Sequence, residues 1–177
     1  MLIQIALFKN YFHIISTSIK KKTFLLTPTI YEIGTNPHGT RVLQQLIKYL
    51  STDELKTTYL QSITNYIIPF LKNLHGTHTV QKFATDYPQY SLIIDNIIIK
   101  NSVELASNRH GCCVIQHYIK RYKNELFQQL VDKLVSNTKS LIVNQFGNYV
   151  IQTILLMNDI KYGNKIASQI SENINVM

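Results

Sequence analysis

Apolar positions along this chain fall at spacings of three and four rather than in alternation. Val42, Leu43, Leu46 and Ile47 form one such stripe, and Val114, Ile115, Tyr118 and Ile119 another. That spacing places apolar groups on one face of a helix, and no strand-like alternation bounded by turn residues persists. Proline stands only at 28, 37, 69 and 88, and glycine is equally sparse, so little interrupts helical stretches. The grouping recurs with three helical pieces in each round. A short apolar piece carries Ile33, Phe70, Leu105 or Leu141. A second piece carries the stripes above. A third, longer and amphipathic, is predicted over about 52–67, 88–100, 124–136 and 162–176.

Each second piece opens on the same short motif. The four copies are Asn36-Pro-His-Gly-Thr-Arg-Val-Leu-Gln44, Asn73-Leu-His-Gly-Thr-His-Thr-Val-Gln81, Asn108-Arg-His-Gly-Cys-Cys-Val-Ile-Gln116 and Asn144-Gln-Phe-Gly-Asn-Tyr-Val-Ile-Gln152. Their glycines stand at 39, 76, 111 and 147, spaced by 37, 35 and 36 residues. A fixed period in this range signals a repeat solenoid, in which one unit cannot make a core alone and neighbours bury each other's apolar faces. Asn36, Asn73, Asn108 and Asn144 sit where a helix needs an N-cap, an oxygen accepting from orphan backbone N–H groups. The glycines are expected to serve helix start and close packing.

Counted from the glycine, positions +1 and +5 share one helix face, while +2 points roughly 100° away toward the joint with the adjacent repeat. The +1/+5 pairs are Thr40 with Gln44, Thr77 with Gln81, Cys112 with Gln116 and Asn148 with Gln152. The seam residues at +2 are Arg41, His78, Cys113 and Tyr149. Amides carry both a donor and an acceptor, which is what reading a base edge requires. Arg, His and Tyr planes stack on base faces, worth about 1–3 kcal/mol per base. A solvent-facing glutamine has no packing reason to recur in register, so its recurrence points to recognition.

The chain has 177 residues, 45% of them hydrophobic, enough for a substantial core. Eighteen Lys and Arg against ten Asp and Glu give a net charge of +8, which suits an anionic partner. Heavy use of Asn, Ile, Lys and Tyr matches an AT-rich coding bias, which inflates Lys and weakens that inference. The adjacent Cys112 and Cys113 fit a reducing compartment better than a structural disulfide. No apolar run reaches the roughly 18–20 residues of a membrane span, and Met1 to Phe8 lack the basic region that opens a signal peptide.

Catalysis and metal binding find little support. No Ser-His-Asp arrangement, phosphate-binding loop or repeated carboxylate pair is present. His110, Cys112, Cys113 and His117 do not have structural zinc spacing. His38, His75 and His110 share the repeat position of Phe146, which fits aromatic packing. The chain is therefore read as a non-enzyme without cofactor, metal or small-molecule ligand.

At the four motifs, the chain strongly resembles the Pumilio (PUF) family of RNA-binding proteins over about residues 33–177. The motifs at 38–44, 110–116 and 146–152 are the closest to the family's forms, and their order resembles the third to sixth of its usual eight repeats. The resemblance implies an all-α fold, a right-handed, curved α-solenoid of three-helix repeats at about 33–67, 68–100, 101–137 and 138–177. Residues 1–32 are expected to form a divergent N-terminal cap or partial repeat, with Leu2 to Ile19 as a helix and Lys20, Lys21 and Lys22 as a basic turn.

The resemblance also implies one base per repeat, a mode the family exemplifies, with RNA antiparallel to the protein. Asn148 and Gln152, with Tyr149 as stacker, resemble a uracil reader. Cys112 and Gln116 resemble an adenine reader, with Cys113 in the stacking place. Thr40 and Gln44 with Arg41 resemble an adenine or lax reader. Thr77 and Gln81 with His78 depart from the family's usual Asn, which leaves that base open. The implied read is 5′-UANA-3′ within a UGUANAUA-like element of single-stranded mRNA 3′ UTRs. Lys48 and Lys120, at +9, are candidate phosphate contacts.

By the same resemblance the protein acts in post-transcriptional repression or decay through co-repressor or deadenylase proteins, in the cytoplasm, with a nucleolar role as the alternative. The family's first two and last two repeats are not recognisable, so a partial domain, a truncated frame and a degenerate member stay open. The competing reading is a helical protein–protein scaffold, which would show an apolar patch where a base reader is polar and basic.

Overall fold

The computed structural model describes residues 30–121 and 125–174. The cap, the helix and the basic turn expected within residues 1–32 lie outside these, except that residues 30–35 are helical. All regular structure among the described residues is helical. The motif helices are α1 (Gly39–Ile47), α4 (Gly76–Asp86), α7 (Gly111–Arg121) and α10 (Gly147–Leu155). Short helices α3 (Ile67–Leu71), α6 (Ser102–Ala106) and α9 (Thr138–Ile142) precede the last three. The long helices are α2 (Asp53–Thr64), α5 (Ser91–Lys100), α8 (Glu125–Ser136) and α11 (Ile160–Ile174).

The element ends follow from local chemistry. Thr52 caps α2 by accepting from the Leu55 amide at 3.2 Å, and Asp53 and Glu54 favour the positive end of that helix. Asp159 does the same at α11, accepting from Lys161 N at 2.9 Å, and so starts the helix two residues before the predicted 162. The predicted 88–100 helix instead begins as a single 3₁₀ turn, Pro88–Tyr90, followed by α5. Proline fixes φ and suits a first turn, but brings no amide to it. Asn158 lies before α11 with φ of 55°, a left-handed conformation that Asn tolerates.

The chain falls into two compact units, Met1–Phe70 with Leu74–Tyr87, and Leu71–Asn73 with Pro88–Met177. In the first, α1 packs on α4. Its core holds Leu43, Ile47, Tyr59, Leu60, Ile63, Ile67, Phe70, Val80 and Phe83, all buried. Tyr59 stacks on Phe83 at 5.2 Å between ring centroids, and Tyr31 stacks on Tyr66 at 5.5 Å. Complete burial raises the Tyr59 hydroxyl pKa well above its ordinary value.

In the second unit α7 packs on α10, while α8 packs on both α5 and α11. Ile98, Ile115, Val131, Leu134, Leu141, Val150 and Ile154 are buried there. Repeat thus lies on repeat within each unit, as the period requires.

Neighbouring repeats also close each other's helix ends. The Lys133 ammonium donates to the Ile99 carbonyl at 3.1 Å and to the Lys100 carbonyl, capping α5 from α8. In the first unit the Tyr87 hydroxyl donates toward the carbonyls of Ile47 at 2.5 Å and Leu50 at 3.2 Å, at the end of α1. Tyr87→Phe is expected to cost about 0.5–1.5 kcal/mol, the net worth of such a bond. Urea denaturation checks this; an unchanged midpoint would mean that the contact contributes nothing.

Candidate nucleic-acid interface

Three of the motif asparagines, Asn36, Asn108 and Asn144, cap the turns that launch their motif helices. Asn36 Oδ1 accepts from His38 N at 2.8 Å and Gly39 N at 3.1 Å. Asn108 Oδ1 accepts from His110 N and Gly111 N, both at 3.0 Å, and Asn144 Oδ1 from Phe146 N and Gly147 N, both at 2.9 Å. Each cap fixes the rotation of its helix, and hence where +1, +2 and +5 point.

The glycines fix the height. A Cβ on Gly39 would meet the Ile33 carbonyl, and one on Gly111 the Leu105 carbonyl. A Cβ on Gly76 would lie 2.7 Å from Phe70 Cα, and one on Gly147 2.7 Å from the Leu141 carbonyl oxygen. These are the apolar residues six places before each glycine. Only glycine lets the motif helix settle so closely on the preceding short helix.

All four seam residues, Arg41, His78, Cys113 and Tyr149, are exposed, and Tyr149 presents 53% of its surface to solvent. An exposed ring at this position offers a flat surface on which a base can stack. At +5, Gln81 and Gln152 are exposed and Gln44 and Gln116 half-buried. The +1 residues sit deeper. Asn148 and Thr77 are half-buried, while Thr40 and Cys112 are only 3% and 5% exposed.

The predicted +1/+5 neighbourhood is bonded in two repeats. Gln152 Nε2 donates to Asn148 Oδ1 at 3.3 Å, and Asn148 Nδ2 donates back to the Asn144 carbonyl at 2.9 Å. Gln44 Nε2 donates to Thr40 Oγ1 at 3.4 Å. Thr40 Oγ1 in turn donates to the His75 carbonyl at 2.9 Å and lies 3.0 Å from Thr79 Oγ1. Thr77 Oγ1 donates to the Phe70 carbonyl at 3.4 Å. Cys112 Sγ donates to the Arg109 carbonyl at 3.3 Å. Burial, reinforced by the adjoining Cys113, pushes the Cys112 thiol up to about 11, so it stays a neutral thiol at pH 7. It offers a base a soft, neutral surface and no nucleophile.

Lys48 and Lys120 are exposed. No group of three or more His, Cys, Asp or Glu among the described residues could hold a metal ion. No helix among them is long and apolar enough to cross a membrane. The sequence pattern gave no role to Thr79. Its signal was nonetheless visible, a hydroxyl where the other three repeats carry Val42, Val114 and Val150.

Comparison with known proteins agrees with this geometry. Residues 30–63, 101–135 and 137–156 match the model of the Pumilio-family RNA binding repeat. Pumilio homolog 12 of Arabidopsis thaliana is 33% identical over 139 residues, covering 77% of this chain and 22% of that protein. Suppressor protein MPT5 of Saccharomyces cerevisiae is 28% identical over 155 residues, covering 81% and 18%. Among solved structures, the Puf4 RNA binding domain bound to the HO endonuclease RNA 3′ UTR recognition sequence superposes with a TM-score of 0.66. It is 35% identical, over 83% of this chain and 47% of that one. The chain therefore spans less than a quarter of these curated relatives and about half of the solved domain.

Proposed function

Since the chain belongs to the Pumilio family of RNA-binding repeat proteins, we propose that it binds single-stranded RNA with one base per repeat. The observation that carries this reading is the surface at +2 and +5. Four exposed seam residues recur beside four glutamines in register, on helices seated closely by their glycines and, in the first, third and fourth repeats, capped by asparagine. Arg41, His78 and Tyr149 stack on base faces and Cys113 packs a smaller surface against one. Gln44, Gln81, Gln116 and Gln152 reach the edges, joined by Asn148 and Thr77 at +1, with Cys112 shaping its pocket.

In this reading the fourth repeat takes U and the third takes A. The second is permissive and the first takes A, giving 5′-UANA-3′ in a UGUANAUA-like element of mRNA 3′ UTRs. Lys48 and Lys120 contact phosphates. The RNA-bound Puf4 domain supports this choice of partner. Repression or decay through recruited co-repressor or deadenylase proteins, in the cytoplasm, follows the family pattern.

The test is a titration of labelled UGUAAAUA RNA and an unrelated octamer at two salt concentrations. Binding of the first is expected to be tighter and to weaken with salt, at about 0.7 counterions released per neutralised phosphate of a single strand. Equal affinity for both octamers would remove the sequence preference from the account.

A second reading, a protein scaffold, has its own observation. Large apolar side chains are exposed through the fourth repeat, namely Val143, Leu155, Leu156, Met157 and Ile160. Leu156 holds the +9 place where repeats one and three have lysine. On that reading neither octamer binds.

A further inference from the structure

We infer that His117, one helical turn beyond Cys113, supplies the flat surface against the base of the third repeat that Cys113 is too small to supply. The inference deepens the base-reading function above and rests on it.

The third repeat is the exception at the seam. Arg41, His78 and Tyr149 bring planar groups to +2, whereas Cys113 brings a single sulfur. All four are exposed, so the thiol is not there to fill a core. Stacking comes from the face of a flat group, and a thiol offers a base far less surface than a ring does.

Position +6 lies four residues past +2, about 6 Å along the helix and about 40° around it. It therefore continues the seam stripe, just as +5 continues the reading stripe from +1. A base whose edge meets +1 and +5 spans the same turn, so its face can be covered from +2, from +6 or from both. The fourth repeat shows how close the two seam places lie. Thr153 at +6 donates to the carbonyl of Tyr149 at +2, at 2.8 Å.

The group at +6 differs from repeat to repeat. Thr153 is buried, and Lys82 is held by Asp86 at 2.6 Å. Gln45 is exposed but has no ring, and it stands one turn from the planar Arg41. His117 is exposed and makes no hydrogen bond or ion pair with any described residue. The repeat with the smallest seam group is thus the one that carries an exposed ring at +6. An imidazole stacks on a base through its face.

The test titrates labelled UGUAAAUA, and the same octamer with an abasic nucleotide in the fourth place, which the third repeat reads. The proteins are wild type, His117→Ala, His117→Phe and the double variant His117→Ala with Cys113→Tyr. On the intact octamer His117→Ala is expected to bind about five- to tenfold more weakly, the low end of what one stacked base contributes. His117→Phe keeps a flat ring without the imidazole nitrogens and should bind like wild type. Cys113→Tyr should restore binding in the double variant by placing a ring at +2 itself. On the abasic octamer wild type and His117→Ala should bind alike, because the ring has no base to meet. Thermal melts of the variants read any loss of fold separately. A His117→Ala loss that persists on the abasic octamer would assign the side chain to the phosphate chain and overturn the inference, as would no loss on the intact one. Wild type that binds both octamers equally sinks the base-reading function, and the inference with it.

Discussion

Changing Asn148 to Ser and Gln152 to Glu together is expected to turn the fourth repeat from a uracil reader into a guanine reader. Gln152 and Asn148 form a bonded amide pair in which each keeps donor and acceptor capacity, which suits the mixed edge of uracil. A carboxylate only accepts. Guanine offers two neighbouring donors, N1–H and N2–H, and is the base whose edge a carboxylate matches. Against uracil the same carboxylate faces the O4 acceptor without a proton to share. A well-placed pair of edge bonds is worth about 1–3 kcal/mol of discrimination. Loss on one base and gain on the other should therefore swing the U-to-G ratio by roughly two orders of magnitude. Competition titration with octamers differing only at the third base measures it. A variant that weakens equally on all bases would show that the pair contributes affinity without reading.

The second large effect concerns the fold that holds the reading helices. Gly111→Ala is expected to destabilise the protein by about 1–3 kcal/mol, the usual cost of overpacking. The added methyl would run into the carbonyl oxygen of Leu105 and approach its Cα at 3.0 Å. Both are backbone atoms and cannot swing aside, so α7 must lift from α6 and carry Cys112, Cys113 and Gln116 with it. Gly163 supplies the control. It lies within α11 and a Cβ there meets nothing within 4 Å. Gly163→Ala should accordingly stabilise by about 0.5–1 kcal/mol through helix propensity. Thermal melts of the two variants should move in opposite directions. A Gly111→Ala melt at or above wild type would contradict the close-approach account.

Much of this is legible in the sequence. Four copies in phase turned a weak pattern into a strong one. The caps of Asn36, Asn108 and Asn144, the close packing at the glycines and the places of the seam residues followed from spacing, whereas the backbone groups that the glycines meet did not. Depth was harder to see. Helical periodicity places Thr40 and Gln44 on one face but does not say that Thr40 is buried, because the atoms that bury it belong to the next repeat. The same holds for the Tyr87 hydroxyl, whose partners lie 37 and 40 residues away. Residue Pro88 shows a smaller limit. Proline marks a helix start without telling an α-turn from a 3₁₀ turn, and the boundary moved by three residues.

The account stands most directly on single-base competition against labelled UGUAAAUA by the unmodified chain at fixed salt. It predicts that changing the third base or the fourth weakens competition by about 5- to 150-fold, the span of 1–3 kcal/mol per read base, while changing the fifth has little effect. Competition that is the same whichever base is changed would contradict it.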